Sequence, residues 1–201
     1  MMNQTKTNQV IVIDCGSRTT PEIKNTLSSL GTASKIISLR SANQFNFKQA
    51  AAVIISGGPF LFTDSPEKTE ALIQQFEFLR EPLPPTLGIC LGHQAIALTH
   101  GGQVFRGQER RDQDSITVLE KHGLFEGLPA APLFKEDHCE GIQAGENTRI
   151  LAESEFYNVE AISINDRPIL GVQFHPEVSG DNGKQLFLNF IRWASKQNKD
   201  S

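Results

Sequence analysis

Thr86-Leu87-Gly88-Ile89-Cys90-Leu91-Gly92-His93-Gln94 decides how the rest of this chain is read. An apolar, strand-like run over residues 86–89 passes straight into Cys90, which lies between two glycines, and a helix-like stretch over residues 94–98 follows. That is the layout of a nucleophile elbow, G-x-Nuc-x-G, with cysteine in the nucleophile's place. The turn is too sharp for side chains beside the nucleophile. It pushes the sulfur out at a helix N-terminus, where the helix dipole and free N–H groups favour thiolate, the reactive form. An isolated cysteine is most often inert core. A core cysteine, however, needs neither the flanking glycines nor the strand-to-helix position, so Cys90 is expected to be a nucleophile.

Outward from the elbow, the N-terminal half alternates strands and helices. Residues 10–13 form a short apolar run that stops at Asp14-Cys15-Gly16-Ser17. Residues 21–30 carry apolar positions at helical spacing, and Gly31 follows as a stop signal. Residues 35–39 and 50–55 read as further strands, the second ending at Ser56-Gly57-Gly58-Pro59. Residues 68–79 read as a helix, and Pro82, Pro84 and Pro85 break the chain before the strand that feeds Cys90. Strand–helix alternation implies an α/β fold with a mostly parallel sheet. After Gly101-Gly102 shorter strand-like pieces follow, at residues 103–105, 115–119, 132–135, 149–151, 158–164 and 169–174. They predict a small antiparallel extension of the same domain in the C-terminal half. A last helix is expected over residues 183–194, with Leu186, Phe187, Phe190 and Ile191 on one face. The organisation expected is an extended or disordered segment at 1–9, one domain over 10–195 and a frayed polar tail at 196–201.

The chain has 201 residues, 38% of them hydrophobic and 21% charged, and a net charge of −4 without a long basic run, which speaks against nucleic acid as a partner. Cys15, Cys90 and Cys139 form no disulfide framework, and no pair has metal-ligand spacing. The reading therefore calls for neither a metal nor a cofactor. Free thiols fit a reducing compartment. The start of the chain lacks a signal-peptide core, and no apolar run approaches the ~20 residues that span a bilayer, so a cytoplasmic protein without a membrane partner is expected.

A thiol nucleophile needs a base to take its proton and return it to the leaving group. His93 is too close in the turn to reach back, and first-turn packing or capping is its better reading. His100 falls at a helix end, where a C-terminal cation is common. His122 sits beside Gly123 in a turn. His138 lies in the cluster Glu136-Asp137-His138-Cys139-Glu140, either exposed or lining a site. His175 ends an apolar strand in Phe174-His175-Pro176-Glu177, and Glu177 is placed to accept the other imidazole N–H. Read alone, His-Pro-Glu is an ordinary turn and Gly-Gly-Pro a plain loop. In open α/β sheets, though, sites form at the carboxyl ends of strands. The loops at 56–59, at Cys90 and at 174–177 could all meet there. Gly57-Gly58 could supply backbone N–H groups to an oxyanion. The same loop is a poor phosphate cradle, since no Gly-Lys-Ser/Thr follows it and Phe60-Leu61 stand where an ATP pyrophosphatase loop needs acidic and hydroxyl residues.

Gly88-Ile89-Cys90-Leu91-Gly92-His93-Gln94, taken with Gly171-Val172-Gln173-Phe174-His175-Pro176-Glu177, resembles the class I (triad) glutamine amidotransferases over residues 10–193. The resemblance implies a flavodoxin-like domain that hydrolyses L-glutamine to glutamate and ammonia. It implies Cys90 as the nucleophile forming a γ-glutamyl thioester, His175 as the acid and base, and Glu177 as its orienter. It further implies backbone N–H groups of Gly58 and Leu91 as the oxyanion hole, and Gly57, Gln94, His138, Cys139 and Glu140 as substrate-binding residues. Within the family, Ile13-Asp14-Cys15-Gly16-Ser17, Ser56-Gly57-Gly58-Pro59 and His175-Pro176-Glu177-Val178 are most similar to the glutaminase part of GMP synthetase. That similarity implies a partner synthetase of the ATP pyrophosphatase type, receiving ammonia for the conversion of XMP to GMP. Four stretches depart from the pattern. Asp137-His138-Cys139-Glu140 stands where Ser-His-x-Asp is usual, and Ser179-Gly180-Asp181 replaces a His-Thr pair. Phe60-Leu61 is bulky, and residues 106–114 are highly charged. Two other readings stay open at this stage: a γ-glutamyl or other amide hydrolase acting on a larger substrate, and a non-catalytic regulatory subunit.

Overall fold

The computed structural model describes residues 9–200. The expected N-terminal segment therefore lies outside the described residues, except for Gln9, whose carbonyl accepts a hydrogen bond from Ala51 N at 3.0 Å. The N-terminal half runs β1 (Val10–Asp14), α1 (Thr20–Ser29), β2 (Ser34–Ser38), α2 (Leu39–Ala42), β3 (Ala52–Ile55), α3 (Pro66–Gln75), β4 (Thr86–Ile89) and α4 (Leu91–Thr99). The C-terminal half adds β5 (Gln103–Arg110), β6 (Gln113–Ser115), β7 (Thr117–Val118), β8 (Leu133–Lys135), β9 (His138–Gln143), β10 (Thr148–Glu153), β11 (Ala161–Ile164), β12 (Ile169–Val172) and α5 (Gly180–Asp200).

Eight strands form one sheet in the order β2-β1-β3-β4-β12-β11-β10-β7. The first five are parallel to one another, and β11, β10 and β7 continue antiparallel. Two small antiparallel pairs, β5–β9 and β6–β8, stand beside this sheet. This is the expected α/β fold with its antiparallel extension.

The parallel strands are buried on both faces, and their side chains alternate between two apolar cores. Ile11 and Ile13 of β1 and Val53 and Ile55 of β3 point into one core, against Leu72 of α3 and Leu91, Ala95 and Ile96 of α4. Val10 and Val12, with Ala52 and Ile54, point into the other, against Ile23 and Leu27 of α1 and Leu186, Phe187 and Phe190 of α5. Each such buried Val, Ile, Leu or Phe side chain contributes about 1.5–3 kcal/mol of transfer free energy. Phe134 and Phe174 stack at 4.1 Å inside the second core. That contact ties β8 to the segment just before His175.

Several elements differ from the sequence expectation; α2, for one, begins at Leu39, the residue expected to end the second strand. The helix expected over residues 68–79 ends at Gln75, and a tight turn over Glu77–Arg80 follows. Asn43 Oδ1 accepts from Phe78 N at 3.0 Å there, so a side chain that follows α2 draws the chain out of the helix. The tail expected to fray is helical: α5 runs on to Asp200, and Asn198 Nδ2 donates to Ala51 O at 2.8 Å. Strand β9, over the polar cluster that begins at His138, has no counterpart in the expectation.

Candidate active site

At the end of β4 the backbone reverses into α4 through Cys90, which has φ +48° and ψ −103°. A non-glycine residue in that region stores on the order of 1–3 kcal/mol of strain, which the neighbours must hold in place. Cys90 N donates to Val172 O at 2.9 Å, and Cys90 O accepts from Gln94 N at 3.0 Å. Gly92 lets the first turn of α4 lie directly on the sheet, because a Cβ there would stand 2.7 Å from Ile55 O. Cys90 thus caps α4, with its sulfur at the helix end that favours negative charge.

His175 follows β12 by three residues, and its backbone N–H donates to Lys135 O at 2.8 Å. Ser179 completes the clamp: its hydroxyl donates to His175 O at 2.6 Å and accepts from Lys135 N at 2.9 Å. The imidazole Nδ1 lies 2.7 Å from Glu177 Oε1, both side chains being buried. Thr19, from the loop after β1, donates its hydroxyl to the same carboxylate oxygen at 2.7 Å. Because Nδ1 is bound to Glu177, Nε2 is left to serve the sulfur. Nε2 makes no short hydrogen bond in this resting arrangement, as is common before substrate tightens a site.

Burial works against a charged imidazole here. The neighbouring Cys90 sulfur and the Glu177 carboxylate outweigh it and hold His175 well above the ordinary histidine range. A protonated His175 beside Cys90 can stabilise a thiolate and then deliver its proton to a departing amine.

The loop after β3 closes over this pair. A Cβ on Gly57 would stand 2.8 Å from His175 Cε1 and 3.5 Å from Cys90 Cβ, so only glycine fits between nucleophile and base. Gly58, next along, shares a cleft of about 410 Å³ with Cys90 and Leu91. Its far wall is β9 with Cys139 and Glu140, and Gln94 and Arg106 also face it. Leu91 N belongs to the first turn of α4, where amides have no partner within the helix. A second cavity, of about 760 Å³, also reaches Cys90 and is lined by Thr19, Lys135, His175 and Val178.

The structure brings together the catalytic, oxyanion-hole and substrate-binding candidates, though some of their polar groups are already bound within the protein. Gln94 is nearly buried and donates to Glu140 O at 3.3 Å and Gln173 Oε1 at 3.2 Å. The Glu140 carboxylate accepts from the amides of Phe62 and Thr63, at 3.2 and 2.7 Å, and so fastens the 57–63 loop to β9. His138 Nδ1 binds Glu140 O at 2.8 Å, with Nε2 directed toward Glu136. Cys139 is half-buried in the cleft wall.

The remaining candidates are structural. Burial pushes the Cys15 thiol up, and that cysteine is inert core. His93 is fully buried, and burial holds it neutral, down at about 3. His100 ends α4, but not as a cation: burial lowers it, its Nδ1 meets Ile96 O at 2.8 Å, and Arg167 Nη1 lies 3.0 Å from Nε2. His122 accepts from Leu124 N at 3.1 Å in its turn. Thr19 and Ser179 escape a reading of the sequence because their roles depend on contacts 158 and 44 residues away in the chain.

Comparison with known proteins agrees with this geometry. The model of the family described as glutamine amidotransferase class-I matches residues 11–193. The glutamine-hydrolysing GMP synthase subunit of Pyrococcus abyssi is 33% identical over 187 residues, covering 91% of this chain and 97% of that protein. Its counterpart in Methanococcus aeolicus is 35% identical, covering 91% and 96%. A crystal structure from Thermoplasma acidophilum, described as a GMP synthase subunit, superposes with a TM-score of 0.82 at 26% identity, covering 96% of each chain. With the family model spanning nearly its whole length, the chain belongs to the class-I glutamine amidotransferases, as a domain homologous to the glutamine-hydrolysing subunit of GMP synthase.

Proposed function

We propose that Cys90, His175 and Glu177 hydrolyse L-glutamine to glutamate and ammonia. In this reading the Cys90 thiolate attacks the side-chain amide, and a γ-glutamyl thioester forms as ammonia leaves with the proton carried by His175. Glu177 holds the imidazole through Nδ1, and Thr19 holds Glu177. Water, deprotonated by His175, then releases glutamate and restores the thiol. Backbone N–H groups of Gly58 and Leu91 stabilise the tetrahedral oxyanion. The glutamine lies in the 410 Å³ cleft beside Gly57 and Gln94, against the wall built by His138, Cys139 and Glu140. Arg106 is the cleft cation best suited to its α-carboxylate, since Arg111, also in the cleft, is paired with Glu109 and Asp137.

One observation carries the reading: a strained elbow cysteine faces a histidine that is held above its ordinary range and tied to a buried carboxylate. The ammonia acceptor follows from kinship. The relatives are glutamine-hydrolysing GMP synthase subunits, so an ATP pyrophosphatase-type synthetase converting XMP to GMP is the proposed partner. The protein is proposed to work in the cytoplasm, and among the described residues no helix is long and apolar enough to cross a membrane. The single-domain organisation over residues 10–195 is part of the same proposal.

The test is Cys90→Ala, assayed with the partner synthetase present. Glutamine hydrolysis falls by about 10⁴-fold or more while the circular dichroism and Tm stay native. Wild-type hydrolysis in that variant would overturn the reading.

A further inference from the structure

Behind the cleft wall three side chains meet: Glu136 and Glu160, which have no part in the proposed glutaminase chemistry, and His138, which enters it only as part of that wall. Glu136 lies between β8 and β9, His138 begins β9, and Glu160 directly precedes β11. One donor atom from each falls within 4.8 Å of the other two. Glu136 and Glu160 are wholly buried, and the His138 side chain is 2% exposed. Both Glu136 oxygens, Glu160 Oε2 and His138 Nε2 lack a hydrogen-bond partner among the described residues. A proton on Glu136 Oε2 can be shared with His138 Nε2, 3.1 Å away, but Glu136 Oε1 and Glu160 Oε2 have no partner among the described residues, and natural proteins rarely leave buried polar atoms so.

The orientation of His138 is fixed by chemistry. Its Nδ1 lies 2.8 Å from Glu140 O, and a carbonyl only accepts, so Nδ1 carries the proton. Nε2 therefore presents a lone pair to Glu136 Oε2, 3.1 Å away. A backbone carbonyl fixing the far nitrogen is the usual outer support of a metal-bound imidazole. Glu160 is held in the same manner: Ser154 Oγ donates to its Oε1 at 2.7 Å, which leaves Oε2 free. The two cations that act on Glu136 are engaged elsewhere, His175 with Glu177 and Arg110 with an acid of its own. Arg110 Nε donates to Asp114 Oδ2 at 2.7 Å, and its guanidinium stacks on Phe156 at 3.6 Å.

We propose that Glu136, His138 and Glu160 form a buried site for one divalent transition-metal ion of the Zn²⁺ or Co²⁺ kind. One imidazole nitrogen and two carboxylates suit such a cation. Small side-chain rotations close a 4.8 Å spread to metal–ligand bonds of about 2.0–2.2 Å. Two glutamates and a dication sum to zero, and zero is the charge a dry interior tolerates. In the metal-free protein, burial first, then neighbouring negative charge, holds each glutamate up at about 8, so protons take the cation's place. Metal binding releases those protons to solvent. The ion would link the turn behind Lys135, whose carbonyl holds His175, to the β9 wall of the cleft and to β11. Its role is positional. The sequence hides the site because Glu160 lies far along the chain from the other two.

The experiment uses the full chain, stripped with chelator and dialysed, then titrated with Co²⁺ alone. One equivalent is expected to bind, with visible d–d bands of nitrogen–oxygen coordination. At Co²⁺ about 100-fold above Kd, Tm is expected to rise by roughly 5–10 °C. Glu136→Gln and Glu160→Gln are isosteric with the protonated acids, so both keep the apo fold. Each is expected to lose Co²⁺ affinity by more than the ~10–100-fold that outer-shell changes cost. Should either variant fail to fold, mass-spectrometric metal content of the unstripped wild type, expected at one Zn²⁺ or similar ion per chain, carries the test. The proposal is overturned if stripped wild type binds neither Co²⁺ nor Zn²⁺ with unchanged Tm, or if both variants bind Co²⁺ as wild type does. It is equally overturned if the bands are those of thiolate coordination at Cys90 or Cys139.

Discussion

Two histidines in this protein sit beside buried glutamates, and their surroundings push them opposite ways. His175 faces Glu177 at 2.7 Å and His138 faces Glu136 at 3.1 Å. Around His175 the carboxylate is also bound by Thr19, and a thiol stands on the other side. The charged imidazole is stabilised there in spite of burial. Around His138 the backbone takes Nδ1, other acids crowd Glu136, and burial prevails: the imidazole is lowered and the glutamate raised. The same residue types therefore make an ion pair poised for proton transfer in one place and a neutral, cation-hungry cluster in the other. What decides is how many partners serve each charge, not the depth of burial.

The largest effect tests the first pair. Glu177→Gln keeps the size of the side chain and removes the charge, so His175 loses its tautomer control and its raised affinity for protons. Hydrolysis is expected to fall by about 10⁴-fold, measured as kcat with the partner present. A loss under tenfold would break the contrast between the two histidines. A smaller effect tests the geometry. Gly57→Ala sets a methyl 2.8 Å from His175 Cε1 and forces the ring away from the sulfur. About a 10²-fold drop in kcat is expected, with KM changed far less.

The smallest effect sharpens the other side of the comparison. Glu136 and Glu160 are held at about 8 in the folded, metal-free chain, above their ordinary 4.5. The folded state then binds more protons than the unfolded one, so unfolding free energy falls as pH rises between those values. Chelator-stripped protein is expected to lose several degrees of Tm from pH 5 to pH 8, and Glu160→Gln to lose less. A Tm of the stripped protein that rises steadily over this range would contradict the neutral cluster.

Much of the fold and the site is legible in the amino-acid sequence, for identifiable reasons. The β4–Cys90–α4 turn announces itself because its constraint is local: two glycines, an apolar strand and a helix start within a few residues. His175 and Glu177 are legible for the same reason, two residues apart at a strand end. β9 is not, because His138, Cys139 and Glu140 are polar residues turned toward a cleft and a buried cluster, and so lack apolar alternation. The end of α3 depends on Asn43, 35 residues earlier than the amide it caps. Thr19, Ser179 and Glu160 stay hidden because their partners are supplied by the fold.

The measurement closest to the central claim is alkylation by the glutamine analogue 6-diazo-5-oxo-norleucine, located by peptide mass spectrometry in the presence of the synthetase partner. The account predicts one adduct per chain on Cys90, none in Cys90→Ala, and loss of hydrolysis in step with labelling, with Cys15 and Cys139 untouched. Labelling of Cys139 instead, or glutamine hydrolysis that persists once Cys90 is fully alkylated, would contradict it.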